Sequence, residues 1–104
     1  MARGLIWTHP VLEDIEELAL ATERYSSAYS VTLIREIRKQ AQRLVVFPFS
    51  GRIVPEWGNP AYRELIILRR YRLIYRVEPD VVVMETVQDS RHLLPSWHSS
   101  DAGG

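Results

Sequence analysis

The chain has 104 residues, 46% hydrophobic and 25% charged, which bounds it to one domain with a modest core. Thirteen basic residues offset thirteen acidic ones, so bulk charge excludes the strongly cationic profile of a general nucleic-acid binder. Cysteine is absent, which excludes disulfides and thiolate metal sites, and no apolar run approaches the ~18 residues of a membrane span.

The N-terminus lacks the apolar core of a signal peptide, and the expected location is a reducing cytoplasm. His9, His92 and His98 show no helical ligand spacing with acidic partners, so neither a metal nor another cofactor is expected. Lys39 is the only lysine; the remaining basic residues are arginines, suited to bidentate contacts with carboxylate or phosphate.

In chain order, residues 4–8 read as a short apolar strand, followed by His9-Pro10, where proline suits the first helical turn and Thr8 or His9 the cap. Val11, Leu12, Ile15, Leu18, Ala19 and Thr22 recur at helical spacing, which predicts an amphipathic helix over 10–24. After Tyr25-Ser26-Ser27, the stripe Tyr29, Leu33, Ile34, Ile37, Ala41, Leu44 and Val45 predicts a second helix over 28–46. The short break makes the two an antiparallel hairpin.

Pro48, Gly51 and Pro55 break regular structure, so residues 47–56 read as a loop. Two strands follow, 62–68 and 71–77, joined by a tight turn near Arg69-Arg70. Alternation puts Tyr71, Leu73, Tyr75 and Val77 on one face, fit for a core, and Arg72, Ile74 and Arg76 on the other, expected to be open. The nearly unbroken apolar run over 81–88 reads as a strand buried on both faces.

The order β-α-α-β-β-β gives an α+β domain, a helical hairpin on one face of a small, mainly antiparallel sheet with 4–8 at an edge. A single domain over 1–97 and a disordered tail over 98–104 are expected.

The element order resembles the RelE/ParE superfamily of toxins from bacterial type II toxin–antitoxin pairs. So do the loop motifs Phe47-Pro48, Gly51-Arg52 and Val54-Pro55-Glu56, and the strand motifs Tyr62-Arg63-Glu64-Leu65 and Tyr71-Arg72-Leu73-Ile74-Tyr75-Arg76-Val77. The resemblance spans residues 3–95. It implies a cognate antitoxin partner and one of two targets. RelE-like members cut mRNA on the ribosome, without a metal. ParE-like members block DNA gyrase and are not known to cleave RNA.

Carried over by position, the nuclease chemistry would fall to Arg63, Arg72 and Arg91, with His92 or His98 as the proton donor; a Glu base would be Glu56 or Glu64. The second basic position of that site is Leu65, and the position of its terminal tyrosine falls near Trp97, which has no ionisable proton. These departures and the zero net charge tilt the expectation to the gyrase-directed, non-enzymatic branch. A non-toxic binding module with the same fold is the third reading.

The structural reading of the same arginines is that they pair with Glu56, Glu64, Glu85 or Asp89, and that Arg52 ties its loop to the sheet. Arg52, Glu56, Trp57, Arg63, Arg72, Arg76 and Trp97 are the expected partner-binding residues, as guanidiniums beside loop aromatics.

Overall fold

The computed structural model describes residues 3–91. His92, Trp97, His98 and the tail over 98–104 lie outside the described residues.

Helix α1 spans His9–Glu23 and α2 spans Ser27–Val46. Each starts on a side-chain cap: the Thr8 hydroxyl accepts the Val11 N–H, and the Ser26 hydroxyl accepts the Tyr29 N–H. The strands are β1 Gly4–Trp7, β2 Arg52–Ile53, β3 Tyr62–Ile67, β4 Tyr71–Val77 and β5 Val81–Asp89. They form one sheet in the order β1-β5-β4-β3-β2, antiparallel except for the β1/β5 pair. The expected α+β order, helical hairpin and edge position of the first strand are all present. The addition is β2, a two-residue strand inside the expected loop, which pairs Arg52 with Glu64 and Ile53 with Arg63.

The main core lies between the helices and the sheet. Val11 of α1 and Leu33, Ile37, Ala41 and Leu44 of α2 pack on Ile67, Tyr71, Leu73, Tyr75, Val82, Met84 and Val87. Leu12, on the predicted stripe of α1, is instead half exposed. Strand β5 keeps its apolar residues inward by slipping register. Ile74 faces Thr86 but Tyr75 faces Met84, so Glu85 is the extra residue of a bulge. Without that slip Val87 would point away from the helices that Val82 and Met84 face. Beyond Met84 the outer edge of β5 has no strand neighbour among the described residues. The Asp14 carboxylate of α1 accepts the Val87 N–H (3.1 Å) and the Thr86 hydroxyl (2.5 Å) there.

The β3/β4 turn is centred on Leu68 and Arg69, one residue earlier than expected, with φ of 51° and 60°. Arg70 N–H closes it on the Ile67 carbonyl at 3.0 Å. Leu68 and Arg69 are both left-handed within the three-residue connection that separates the paired Ile67 and Tyr71, a conformation normally taken by Asn or Gly rather than Leu-Arg.

The outer face of the sheet is covered in part, though Ile66 on it stays exposed. Residues 54–58 fold back across it through the bonds Val54 N–H to Tyr62 O and Gly58 N–H to Val54 O. Val54 and Ile74 are fully buried there, with Trp57 and Tyr62 packed against them and edge to face with each other, ring centroids 5.4 Å apart.

Candidate functional site

Arg72 was expected to reach into the open; it is buried instead, its side chain 6% exposed. Alternation places it on the outer face, as the sequence implies, but the returning loop covers that face. Glu64 lies beside it on β3, with no exposed side-chain surface. Arg72 Nε donates to Glu64 Oε1 at 2.7 Å, and its two terminal nitrogens grip Glu56 at 2.6 and 2.7 Å. The other Glu64 oxygen accepts from Arg52 Nε at 2.5 Å, so two arginines and two glutamates form one neutral chain across β2, β3, β4 and the loop. The paired glutamates, Glu56 above all, hold the Arg72 guanidinium well above its ordinary pKa, against the opposing effect of burial. A cleft of about 400 Å³ sits over this network, lined also by Pro55, Ile66 and Ser90.

Arg63 does not share this site. It pairs with Tyr75 across β3/β4 and therefore lies on the opposite, helix-bearing face. Its Nε donates to the Pro60 carbonyl (3.0 Å) and a terminal nitrogen to the Gly51 carbonyl (3.2 Å). Arg91, beyond β5, folds back on Asp89 with contacts of 3.0 and 2.8 Å. The three arginines proposed as a catalytic set are thus dispersed: one sealed, one on the far face, one paired with a carboxylate at the sheet end. His92 and Trp97 lie outside the described residues.

Of the arginines read as pairing with local acids, Arg72 and Arg91 do so, whereas Arg63 is held by backbone carbonyls instead. Arg52 ties the loop to the sheet through Glu64, Arg76 bridges Glu78 (2.9 Å) and Glu85 (3.4 Å), and Arg70 and Arg91 share Asp89. Trp57 belongs to the small outer core and is only partly exposed.

No periodic pattern in the sequence singles out Phe49 or Arg3. Phe49 is 53% exposed, and the guanidinium carbons of Arg63 and Arg3 stand 5.0 and 5.7 Å from its ring centroid. The available signal was two phenylalanines flanking Pro48 in a stretch with no alternation to bury them.

Among the described residues no group of three His, Asp or Glu side chains is placed to hold a metal ion, and no helix is long and apolar enough to cross a membrane.

Solved structures share the fold, three of them as follows. The chromosomal ParDE system of P. aeruginosa superposes with a TM-score of 0.70 at 17% identity, over 85% of this chain and 96% of that one. The toxin–antitoxin complex DinJ–YafQ of E. coli gives 0.65 at 13% identity, over 91% and 100%. A conserved hypothetical protein of Helicobacter pylori gives 0.58 at 18% identity, over 90% and 100%. No curated protein sequence matches the chain. The profile of the ParE toxin of type II toxin–antitoxin systems, parDE, matches residues 5–93. With nearly the whole described fold inside that match, the chain belongs to the ParE toxin family of type II toxin–antitoxin systems.

Proposed function

We propose that this toxin arrests growth by inhibiting DNA gyrase and is neutralised by a cognate antitoxin. The family match over residues 5–93 carries the reading, since members of that family are the toxin halves of parDE pairs. The paired systems seen in the ParDE and DinJ–YafQ structures support the antitoxin partner.

The state of Arg72 supports gyrase over RNA cleavage. A guanidinium stabilises a phosphorane only if its donors are aimed at the position where charge develops. Here those donors are committed to Glu56 and Glu64 behind a loop, with Arg63 on the far face. Releasing Arg72 to a substrate would leave Glu64 buried with only Arg52 beside it, a costly state.

The test is a gyrase supercoiling assay run beside a ribosome-programmed mRNA cleavage assay with the same protein. Dose-dependent loss of supercoiling with intact message is the expected result. Position-specific cleavage of ribosome-bound message, with gyrase unaffected, would replace this reading with the nuclease one. Inactivity in both assays and on expression in cells would favour a non-toxic binding module.

A further inference from the structure

Arg52, Arg70, Arg72, Arg76 and Arg91 each hold a carboxylate. Arg3 and Arg63 differ: among the described residues both are fixed by backbone carbonyls alone. Arg3 Nε donates to the Glu78 carbonyl at 2.9 Å, and Arg63 donates to those of Pro60 and Gly51. These bonds orient the two guanidiniums without neutralising them, and each retains unused N–H donors. Between them stands Phe49. It is carried on a turn closed by Ser50 N–H to Phe47 O and seated by the buried Pro48. Phe47 and Val46, at the end of α2, are 59% and 60% exposed.

A monomer has no use for three large apolar side chains held in water beside two uncompensated, pre-oriented cations. Resting on the toxin–antitoxin reading above, we propose that the Phe49 ring with Arg3 and Arg63 beside it, continued by Phe47 and Val46, is the seat of the antitoxin. The segment that occupies it is acidic and carries a large apolar side chain. Its carboxylates complete the two guanidinium forks, and its apolar residue covers the phenylalanines. Arginines already fixed by carbonyls lose little rotamer freedom on binding, which favours tight capture. A nucleic acid backbone fits the patch poorly, because affinity for phosphate grows with the number of cations, and among the described residues two flank the Phe49 ring amid apolar surface.

The test uses the full-length toxin with the antitoxin encoded in the adjoining reading frame, and a short random-sequence DNA duplex as second probe. Dissociation of the antitoxin is timed for wild type, Arg3→Glu, Arg63→Glu, Phe49→Ser and the helix-surface control Arg38→Glu. Far-UV circular dichroism verifies each fold. Dissociation should quicken by about tenfold or more for the three patch variants, and by less than about threefold for the control. If Arg63→Glu fails to fold because it carries loop bonds, Arg3→Glu and Phe49→Ser decide the matter.

Patch variants that release the antitoxin at the wild-type rate would overturn this placement while leaving the toxin–antitoxin reading intact. Loss of binding to the DNA duplex, with antitoxin binding unchanged, would likewise overturn it. A wild-type toxin that binds no antitoxin would overturn the reading itself and the seat with it.

Discussion

Arg72 and Glu64 stand side by side on adjacent strands, Nε 2.7 Å from Oε1, both almost wholly shut off from solvent. Removing Arg72 leaves a buried glutamate with one exposed arginine for company, and loss of one partner of a buried pair costs about 3–5 kcal/mol. Arg72→Ala therefore does not separate chemistry from folding. Chemical denaturation should show Arg72→Met destabilised by roughly that amount. Adding Glu64→Gln should recover part of the loss, because the unpaired charge is then gone. Equal stability of Arg72→Met and wild type would mean that the network contributes nothing to the fold.

Gly51 and Tyr75 make a second close relationship. The Gly51 N–H donates to the Tyr75 hydroxyl at 2.9 Å, and a Cβ on Gly51 would sit 2.5 Å from both that oxygen and the Glu64 carbonyl oxygen. Gly51→Ala should thus cost about 1–3 kcal/mol through overpacking against backbone. Tyr75→Phe should cost about 1–3 kcal/mol by leaving a buried donor unmet. Thermal melts of the two single variants and the double variant check this. Since both changes break the same contact, the double should lose less than the sum.

The Leu68-Arg69 turn stores strain that glycine would relieve. Arg69 is exposed, so Arg69→Gly removes little packing, and the left-handed φ of 60° costs a non-glycine residue roughly 1 kcal/mol. Arg69→Gly should raise the melting temperature by a few degrees, at roughly 4–8 °C per kcal/mol for a domain of this size. A lowered melting temperature would mean that the side chain contributes more than the strain costs. Leu68→Gly should not stabilise, because Leu68 packs on the core.

Asp89 predicts an acid limb of stability. Its hydrogen bonds from the Arg91 side chain and Arg91 N–H, and then from Arg70, hold its carboxyl well below the usual carboxylate range. A folded pKa below the unfolded one means that the contribution is present above about pH 4. It is lost as pH falls towards the folded value. Asp89→Asn should be less stable than wild type at neutral pH, and urea midpoints of the two should converge as pH drops below about 4. A gap that does not change with pH would assign the effect to packing rather than charge.

Helix and strand positions were legible because they follow from local chemistry: the Thr8 and Ser26 caps, the helical recurrence of Leu33, Ile37, Ala41 and Leu44, and the alternation of Tyr71, Leu73 and Tyr75. The side of the sheet on which Arg72 lies was equally legible, because a strand has a period of two. Whether that side meets water was not. Alternation fixes a direction but not what lies in that direction, and only the return of Val54, Glu56 and Trp57 across β3 and β4 turned an outward arginine into a buried one.

The same limit separated Arg63 from Arg72. Nine positions apart in the chain, they reach opposite faces, and the β3/β4 register, which pairs Ile67 with Tyr71 across a three-residue connection, decides which residues stand beside each. The sequence by itself determined the two helices, the four longer strands, their order and the family; β2 came only with the fold. The tertiary structure decided which arginines are buried in carboxylate pairs and which are held by backbone carbonyls, because burial and pairing depend on segments distant in the chain. That is why the exposed Phe49 with Arg3 and Arg63 could be recognised only once the fold had brought residues 3, 49 and 63 together.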